Sequence, residues 1–399
     1  MGKVLRVDFR AKVQADHRTY FPFHLTDEGD FELHRVRVGI QGRFLKDFEF
    51  EVEREINEEA SDWLNLDRET VGFPWRDVYV NYRHFRRFQF QIGKFKMPFG
   101  LEQLTGPTKL DFIYRSRTGN ELQPGRAQGI MLHGRPLNRG LGYQFGLFRT
   151  DGEKAAITEV INDVGDRAHL FTGVRTFAGR VIANPFRLAP VPEVFKDIQV
   201  GGAFTSTSVP EGLYSLRGRT TSKDIFFRHI FVRGERRRLG AEFQWTPGRF
   251  SVKSEFVHVQ EERQKQGFAG EDLPNLIERG WYVSGTCILT GQKYADRDEP
   301  SKEFLFGRGL GAIELAGRVE GVRWGSAGEH IGRPSRSPRA ANVLAASDRA
   351  ITLGINWYWN RHFKVQLNGI REKLEDPTRV PIIGEHVYWT RLLRVQFIM

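Results

Sequence analysis

The chain has 399 residues, with 60 Lys and Arg against 49 Asp and Glu and a formal charge of +11; its pI is near 9.7. That excess favours an anionic partner: nucleic acid, an acidic surface or small anions in solution. No stretch of about 18 apolar residues occurs, which excludes a transmembrane helix. The single cysteine, Cys287, excludes an internal disulfide framework and a cysteine-rich metal site. A mean hydropathy of -0.46 is usual for a soluble protein. It does not exclude a membrane β-barrel, whose lipid-facing and lumen-facing residues alternate and average out. No signal peptide is legible in Met1 to Lys12, because charges interrupt every candidate apolar core.

The first predicted strand sets Leu5, Val7, Phe9, Ala11 and Val13 on one face and Arg6, Asp8, Arg10 and Lys12 on the other. Strict alternation of this kind is the period-2 signature of a strand. Next, Arg35, Arg37 and Arg43 alternate with Val36, Val38, Ile40 and Phe44, and the chain reverses at Lys46-Asp47. It returns with Phe48, Phe50 and Val52 against Glu49, Glu51 and Glu53. A row of arginines should therefore face a row of glutamates, each opposed pair contributing roughly 0.2–1 kcal/mol. A face so densely charged must meet water.

A hairpin follows, Val78 to Tyr82 and Phe88 to Gly93, with Phe88, Phe90 and Ile92 on one side and Gln89 and Gln91 on the other. After it, Lys96 to Gly125 shows no clear period and carries Lys96, Lys109, Arg115 and Arg117, with Arg126 just beyond. These residues fit an ordinary hairpin with a surface loop. A water-filled barrel with an internal constriction would need the same features. Alternating segments recur to the C-terminus, among them Leu239–Trp245, Trp281–Thr290, Ile351–Trp357, Phe363–Leu367 with Lys364, and Leu393–Phe397 with Arg394; Arg318 follows Ile313 and Leu315 on another. About sixteen such segments are expected, an even number in the range of bacterial outer-membrane barrels. Short connections mostly alternate with long polar ones, as periplasmic turns and outer loops do. Two connections, Pro185–Lys196 and Gln292–Arg308, are longer than that scheme requires. Aromatic residues near strand ends, such as Trp75, Tyr82, Trp357 and Trp389, suit the girdles at membrane interfaces.

Several stretches resemble the phosphate-selective porin O and P family of bacterial outer membranes. They are Gln91–Glu102, Gly280–Val283 with Leu289–Gly291, Gly311–Ala316 and Leu353–Tyr358. With Leu5–Lys12 and Leu393–Phe397, the likeness runs in family order along nearly the whole chain. The resemblance implies an all-β fold: a transmembrane antiparallel barrel of about sixteen strands whose long third loop folds into the pore. It implies one barrel domain over residues 1–399, a homotrimer and an outer-membrane location. No cofactor is implied. In the family, inward arginines and lysines form a ladder and an eyelet binds the anion. Matched motif to motif, Arg6, His34, Arg35 and Arg115 fall at eyelet positions, and Arg10, Arg37, Lys109, Arg117, Arg126, Arg318, Lys364 and Arg394 are expected along the lumen. The chain departs from phosphate-selective members in three places: Gly106-Pro107-Thr108 stands for a Ser-Ser-Lys run, Gln103 for a lysine and His34 for an arginine. These departures leave an anion pore and argue against strong phosphate preference.

The expected function is passive, anion-selective diffusion of phosphate or other small anions through a cationic lumen, with outer-membrane lipid around the barrel and no nucleic acid bound. Enzymatic alternatives lack support. The glycines at 307, 309 and 311 lead into a strand rather than a helix, and no HExxH or Ser nucleophile elbow occurs. His133 and His258 sit within strand patterns. The rival expectations are a soluble basic β-protein binding nucleic acid or glycans, which would bury its apolar faces against each other, and a non-conducting structural barrel.

Overall fold

The structure is a computed structural model that describes residues 5–22, 31–56, 75–137, 140–153, 175–304, 307–328, 332–376 and 383–399. Its barrel strands are β1 (Leu5–Phe21), β2 (Phe31–Phe44), β3 (Phe48–Glu55), β4 (Trp75–Phe85), β5 (Phe88–Lys96), β6 (Arg126–Gly134), β7 (Leu141–Phe148) and β8 (Thr176–Ala183). They continue with β9 (Gln199–Gly212), β10 (Val232–Trp245), β11 (Phe250–Arg263), β12 (Leu273–Ile288), β13 (Ala312–Ser326), β14 (Ala346–Tyr358), β15 (Phe363–Leu374) and β16 (Val387–Ile398). Each pairs antiparallel with its neighbours, and β1 also pairs with β16 from Lys12↔Ile398 to Phe21↔Trp389, so the sheet closes. Closure leaves no row of unsatisfied N–H and C=O groups facing hydrocarbon.

Alternation fixes which side chains look out. Along β14, Ile351, Leu353 and Ile355 are exposed on the outer face, Leu353 by 66 %, while Thr352 and Asn356 are wholly buried inside. Phe9 on β1 is 75 % exposed outside; Gln14 and Asp16 have no exposure inside. The apolar faces thus ring the outside of a closed barrel and are not packed against each other, as the soluble alternative required. At one end the strands join through 45–47, 86–87, 135–140, 184–198, 246–249, 289–311 and 359–362. Aromatic rings gather at this end, with Phe44 stacked on Phe48 at 4.9 Å, Phe363 beside Phe397 at 5.0 Å and Trp357 beside Trp359 at 5.2 Å.

The opposite end carries the long loops, numbered here in chain order from the β1–β2 connection. Loop 3 is residues 97–125, loop 4 is 149–175, loop 5 is 213–231 and loop 7 is 327–345. Strands β9–β12 extend into stretches where alternation fades, such as Ser206–Val209. Beyond the hydrocarbon the outer face no longer has to be apolar, so the two-sided pattern stops there while the hydrogen-bonded ladder continues. Loop 5 carries a two-stranded ladder, Gly218–Arg219 with Ile225–Phe227. Its Tyr214, Leu216, Phe226 and Phe227 pack inside the barrel against Val322 and Trp324 of β13 and Val343 of loop 7. Phe227 stacks on the Trp324 indole at 5.6 Å. One side of the outer mouth is therefore filled by an apolar core.

Candidate functional site: the constriction and its cations

Loop 3 leaves β5 at Met97, crosses the lumen and returns to β6. Gly100, with φ +76°, makes the first bend; a Cβ there would lie 2.3 Å from the Gln123 side chain. The short helix Leu101–Leu104 then begins with its first N–H groups donating to Glu255 of β11, Leu101 N at 2.7 Å and Glu102 N at 2.9 Å. Glu255 also accepts from Gln123 Nε2 (3.1 Å) and Tyr282 Oη (2.8 Å). A carboxylate with four donors satisfies N–H groups that a helix start leaves unpaired. The return limb, Thr118–Leu122, fits because β12 presents Gly280; a Cβ there would lie 2.7 Å from Thr118 Oγ1.

The middle of loop 3 is gripped by the late strands. Ile113 packs on Ala350, Ile370 and Leu392, and its N–H donates to Asn368 Oδ1 at 2.8 Å. Asp111 accepts from Lys253 Nζ (2.7 Å), Tyr294 Oη (2.7 Å) and Arg297 Nη1 (2.7 Å). Tyr294 and Arg297 belong to the 289–311 connection, whose length has its reason here: it reaches into the barrel from the turn end to hold loop 3. The facing cations hold the Asp111 carboxyl well below the usual range against the cost of burial.

Between loop 3 and the wall of β2–β6 lies a cavity of about 190 Å³. His34, Arg35 and Arg37 line it from β2, Glu55 from β3, Arg76 from β4, Lys96 from β5 and Arg126 from β6. Loop 3 contributes Arg115, Arg117 and Glu121, loop 4 Glu153, and loop 5 Arg219 and Lys223. Adjacent residues of a regular strand point to opposite faces, yet His34 and Arg35 both reach the cavity. The ladder between β1 and β2 slips between Gln14↔Arg35 and Asp16↔Glu32, a bulge that re-aims a side chain. His34 lies edge-on to Tyr114 at 5.7 Å.

Most of these cations are neutralised in place. Arg37 meets Glu55 at 2.6 Å and Glu53 at 3.2 Å; Arg126 meets Asp77 at 2.7 Å and Glu153 at 3.4 Å; Arg117 meets Glu372 at 3.3 Å and Asp348 at 3.6 Å. Three are not: among the described residues Arg35, Lys96 and Arg115 form no ion pair. Arg35 donates to the Gln14 amide oxygen. Lys96 Nζ and Arg115 Nη2 converge on one acceptor, the Thr105 carbonyl, at 3.0 and 2.7 Å. Burial lowers the Arg115 guanidinium to about 10, with Glu102 opposing the shift, so it stays charged at neutral pH.

The structure separates the remaining expected residues. Arg6 faces the lumen, but it pairs across the ladder with Arg43 near the turn end and its head bonds Asp8 at 3.0 Å. Eight residues along β1 separate it from Gln14, the neighbour of Arg35, which is roughly 26 Å at strand rise. Arg6 is therefore not brought to the cavity. Alternation gave its face and could not give its height. Arg10 lies between them, bonded to Glu51 at 2.6 Å. Four others do not line the cavity, and three of them hold loop 3. Lys364 donates to the Thr108 and Leu110 carbonyls, each at 3.1 Å. Arg394 bonds Asp16 (2.6 Å) and the Ile113 carbonyl (2.8 Å). Arg318 bonds Glu102 at 3.2 Å and the Tyr114 carbonyl at 3.1 Å. The Lys109 side chain is exposed, and its carbonyl accepts from Arg297 at 3.0 Å. Sequence reasoning missed Arg76, Arg219 and Lys223 on the lining and named Lys96 only as part of a basic stretch. Arg219 and Lys223 arrive on loop 5, where no periodicity marks an inward direction.

The architecture has solved counterparts. OmpT of Vibrio cholerae superposes with a TM-score of 0.60 at 9 % identity, covering 100 % of this chain and 99 % of that one. An anion-selective porin from Comamonas acidovorans gives 0.56 at 9 % identity, with 99 % and 100 % covered. The outer-membrane channel DcaP of Acinetobacter baumannii gives 0.56 at 8 % identity, with 99 % and 97 % covered. At such identities these likenesses speak to the fold. A search of curated proteins returns no match. The profile of the family Phosphate-selective porin O and P matches residues 7–382. On that match and this barrel the chain is an outer-membrane porin and belongs to the phosphate-selective porin O and P family.

Proposed function

We propose that the chain conducts small anions passively, and that Arg35, Lys96 and Arg115 form the weak binding step at its narrowest point. The observation that carries this is the charge of the cavity. Its described lining holds nine Lys and Arg side chains against three Glu. Such an excess in a confined channel raises local anion concentration and repels cations. The three cations without carboxylate partners are those whose donors remain available to an incoming ion. Arg35 and Arg115 can offer a planar fork to phosphate or carboxylate, and Lys96 a point charge. Their present acceptors are the Gln14 amide oxygen and the carbonyls of Glu102, Leu104 and Thr105, which an anion displaces more readily than a carboxylate. Binding of this kind is modest, as conduction requires. Gly106-Pro107-Thr108 and Gln103 bring no further cation to loop 3, which favours general anion passage over strong phosphate preference. The functional unit is a homotrimer, in line with the trimer form of OmpT.

The test is the reversal potential across a planar bilayer under a KCl gradient. The unmodified protein should be anion-selective, and Arg35→Ala with Arg115→Ala should move the potential most of the way to zero. A cation-selective wild type would refute the function, and an unchanged potential in the double variant would remove these two residues from the site.

A further inference from the structure

On the outer face of β12–β16, near the long-loop end, six cations form a continuous band: Arg279, Arg323, Arg349, Arg371, Lys373 and Arg391. Arg279 lies directly opposite Arg323, and Arg349 directly opposite Lys373. Arg349 is two residues along from the partner of Arg323, and Arg391 two from the partner of Arg371. Like charges directly opposed across a ladder destabilise it. Nevertheless, among the described residues none of the six is in an ion pair. No role in the pore accounts for them, because their side chains point away from it.

The surface below the band is apolar. Trp281, Val319, Ile351 and Leu393 are exposed just toward the turn end. There a groove of about 710 Å³ runs between Leu315, Leu353, Leu367 and Leu393, and Arg391 stands at its upper end. Gly369 opens it: a Cβ at that position would meet nothing within 4 Å. A groove of about 740 Å³ on the far wall is headed by Lys94 and Arg149, and Lys94 lies opposite Val78 and Gln128.

We propose that the β12–β16 band is the docking surface for a phosphate-bearing lipid of the outer leaflet, with one acyl chain lying in the Gly369 groove. Charge complementarity argues for phosphate, since a guanidinium meets it bidentately and one phosphate between opposed arginines removes their repulsion. Position argues for a lipid, since the band lies where an apolar belt gives way to water at the end carrying the long loops. Tail and headgroup find their partners on the same five strands.

Full-length protein in detergent would be incubated with bisphosphorylated lipid A, with its dephosphorylated form and with inorganic phosphate. Lipid retained per barrel is then counted by native mass spectrometry. Retention of lipid A alone is expected, falling about fivefold per cation removed and so roughly 25-fold in Arg323→Ser/Arg349→Ser. Bilayer conductance of that variant should be unchanged, which also verifies its fold; should it fail to fold, Arg391→Ser at the head of the groove replaces it. Arg149→Ser on the far wall should retain lipid like the wild type. Equal retention by the double variant, or equal retention of the dephosphorylated lipid, overturns the proposal. Displacement of lipid A by inorganic phosphate at matched concentration also overturns it, by making the band a site for free anions.

Discussion

The wall of β2–β6 and the wall of β9–β15 follow the same inward–outward alternation, yet they enclose different interiors. The first borders an aqueous cavity in which three cations face open space. The second is filled by loops 5 and 7, with Phe226 and Phe227 against Trp324, and its Arg236, Arg238 and Arg318 are matched by carboxylates. Arg236 and Arg238 share Asp151 at 2.6 and 2.5 Å, and Arg318 holds Glu320 at 2.9 Å. A barrel wall becomes packing where its inward charges find partners and apolar loops cover the rest. It becomes pore where cations outnumber the carboxylates within reach.

That contrast can be broken from the filled side first. Asp151→Asn would leave Arg238 buried without a carboxylate and Arg236 with Glu261 alone, and the expected cost is about 3–5 kcal/mol, read as a lowered unfolding midpoint. A midpoint like that of the wild type would show that the filled side does not depend on this pairing. Next comes the tether between the sides. Arg297→Ala removes one of the three donors on Asp111, for about 1.5–3 kcal/mol, and should give noisier single-channel currents as loop 3 loosens; quiet traces would mean that Lys253 and Tyr294 suffice.

Acid should act more locally. His229 of loop 5 is pushed down to about 4, chiefly by burial and then by Arg217, while its bond to the Ser215 carbonyl at 2.6 Å opposes the shift. The folded loop thus prefers neutral imidazole, and its stability from this group is complete above the ordinary histidine value and lost as pH falls toward the folded one. Opening of loop 5 should rise by up to about tenfold per pH unit between roughly 6.5 and 4, followed by Trp324 emission; a flat profile would discount His229. Arg6→Ala should do least, within about 0.5 kcal/mol and with no change in selectivity. A changed reversal potential would return Arg6 to the site.

Much of the barrel was legible because its strands are amphipathic at a period of two, and because charges such as Glu51 and Glu53 could only face inward, toward water or opposite charges. The site was less so. The likeness put Arg6, Arg35 and Arg115 at one eyelet; Arg35 and Arg115 line one cavity and Arg6 does not, since a repeat of two residues fixes a direction and leaves depth to register. Lys364 and Arg394 look like lumen charges in sequence, and only the path of loop 3 makes them its anchors. Val322 and Trp324 face inward, against the rule that apolar residues face lipid, because loop 5 supplies them with a dry interior. No local pattern announces a contact between residues 227 and 324.

Loop 3 belongs to the first third of the chain, but Asp111 is held by Lys253, Tyr294 and Arg297, and Ile113 by Asn368 and Arg394. The filter therefore cannot be set until the last strands have been threaded into place. A half-built barrel thus lacks the wall against which its lumen is narrowed.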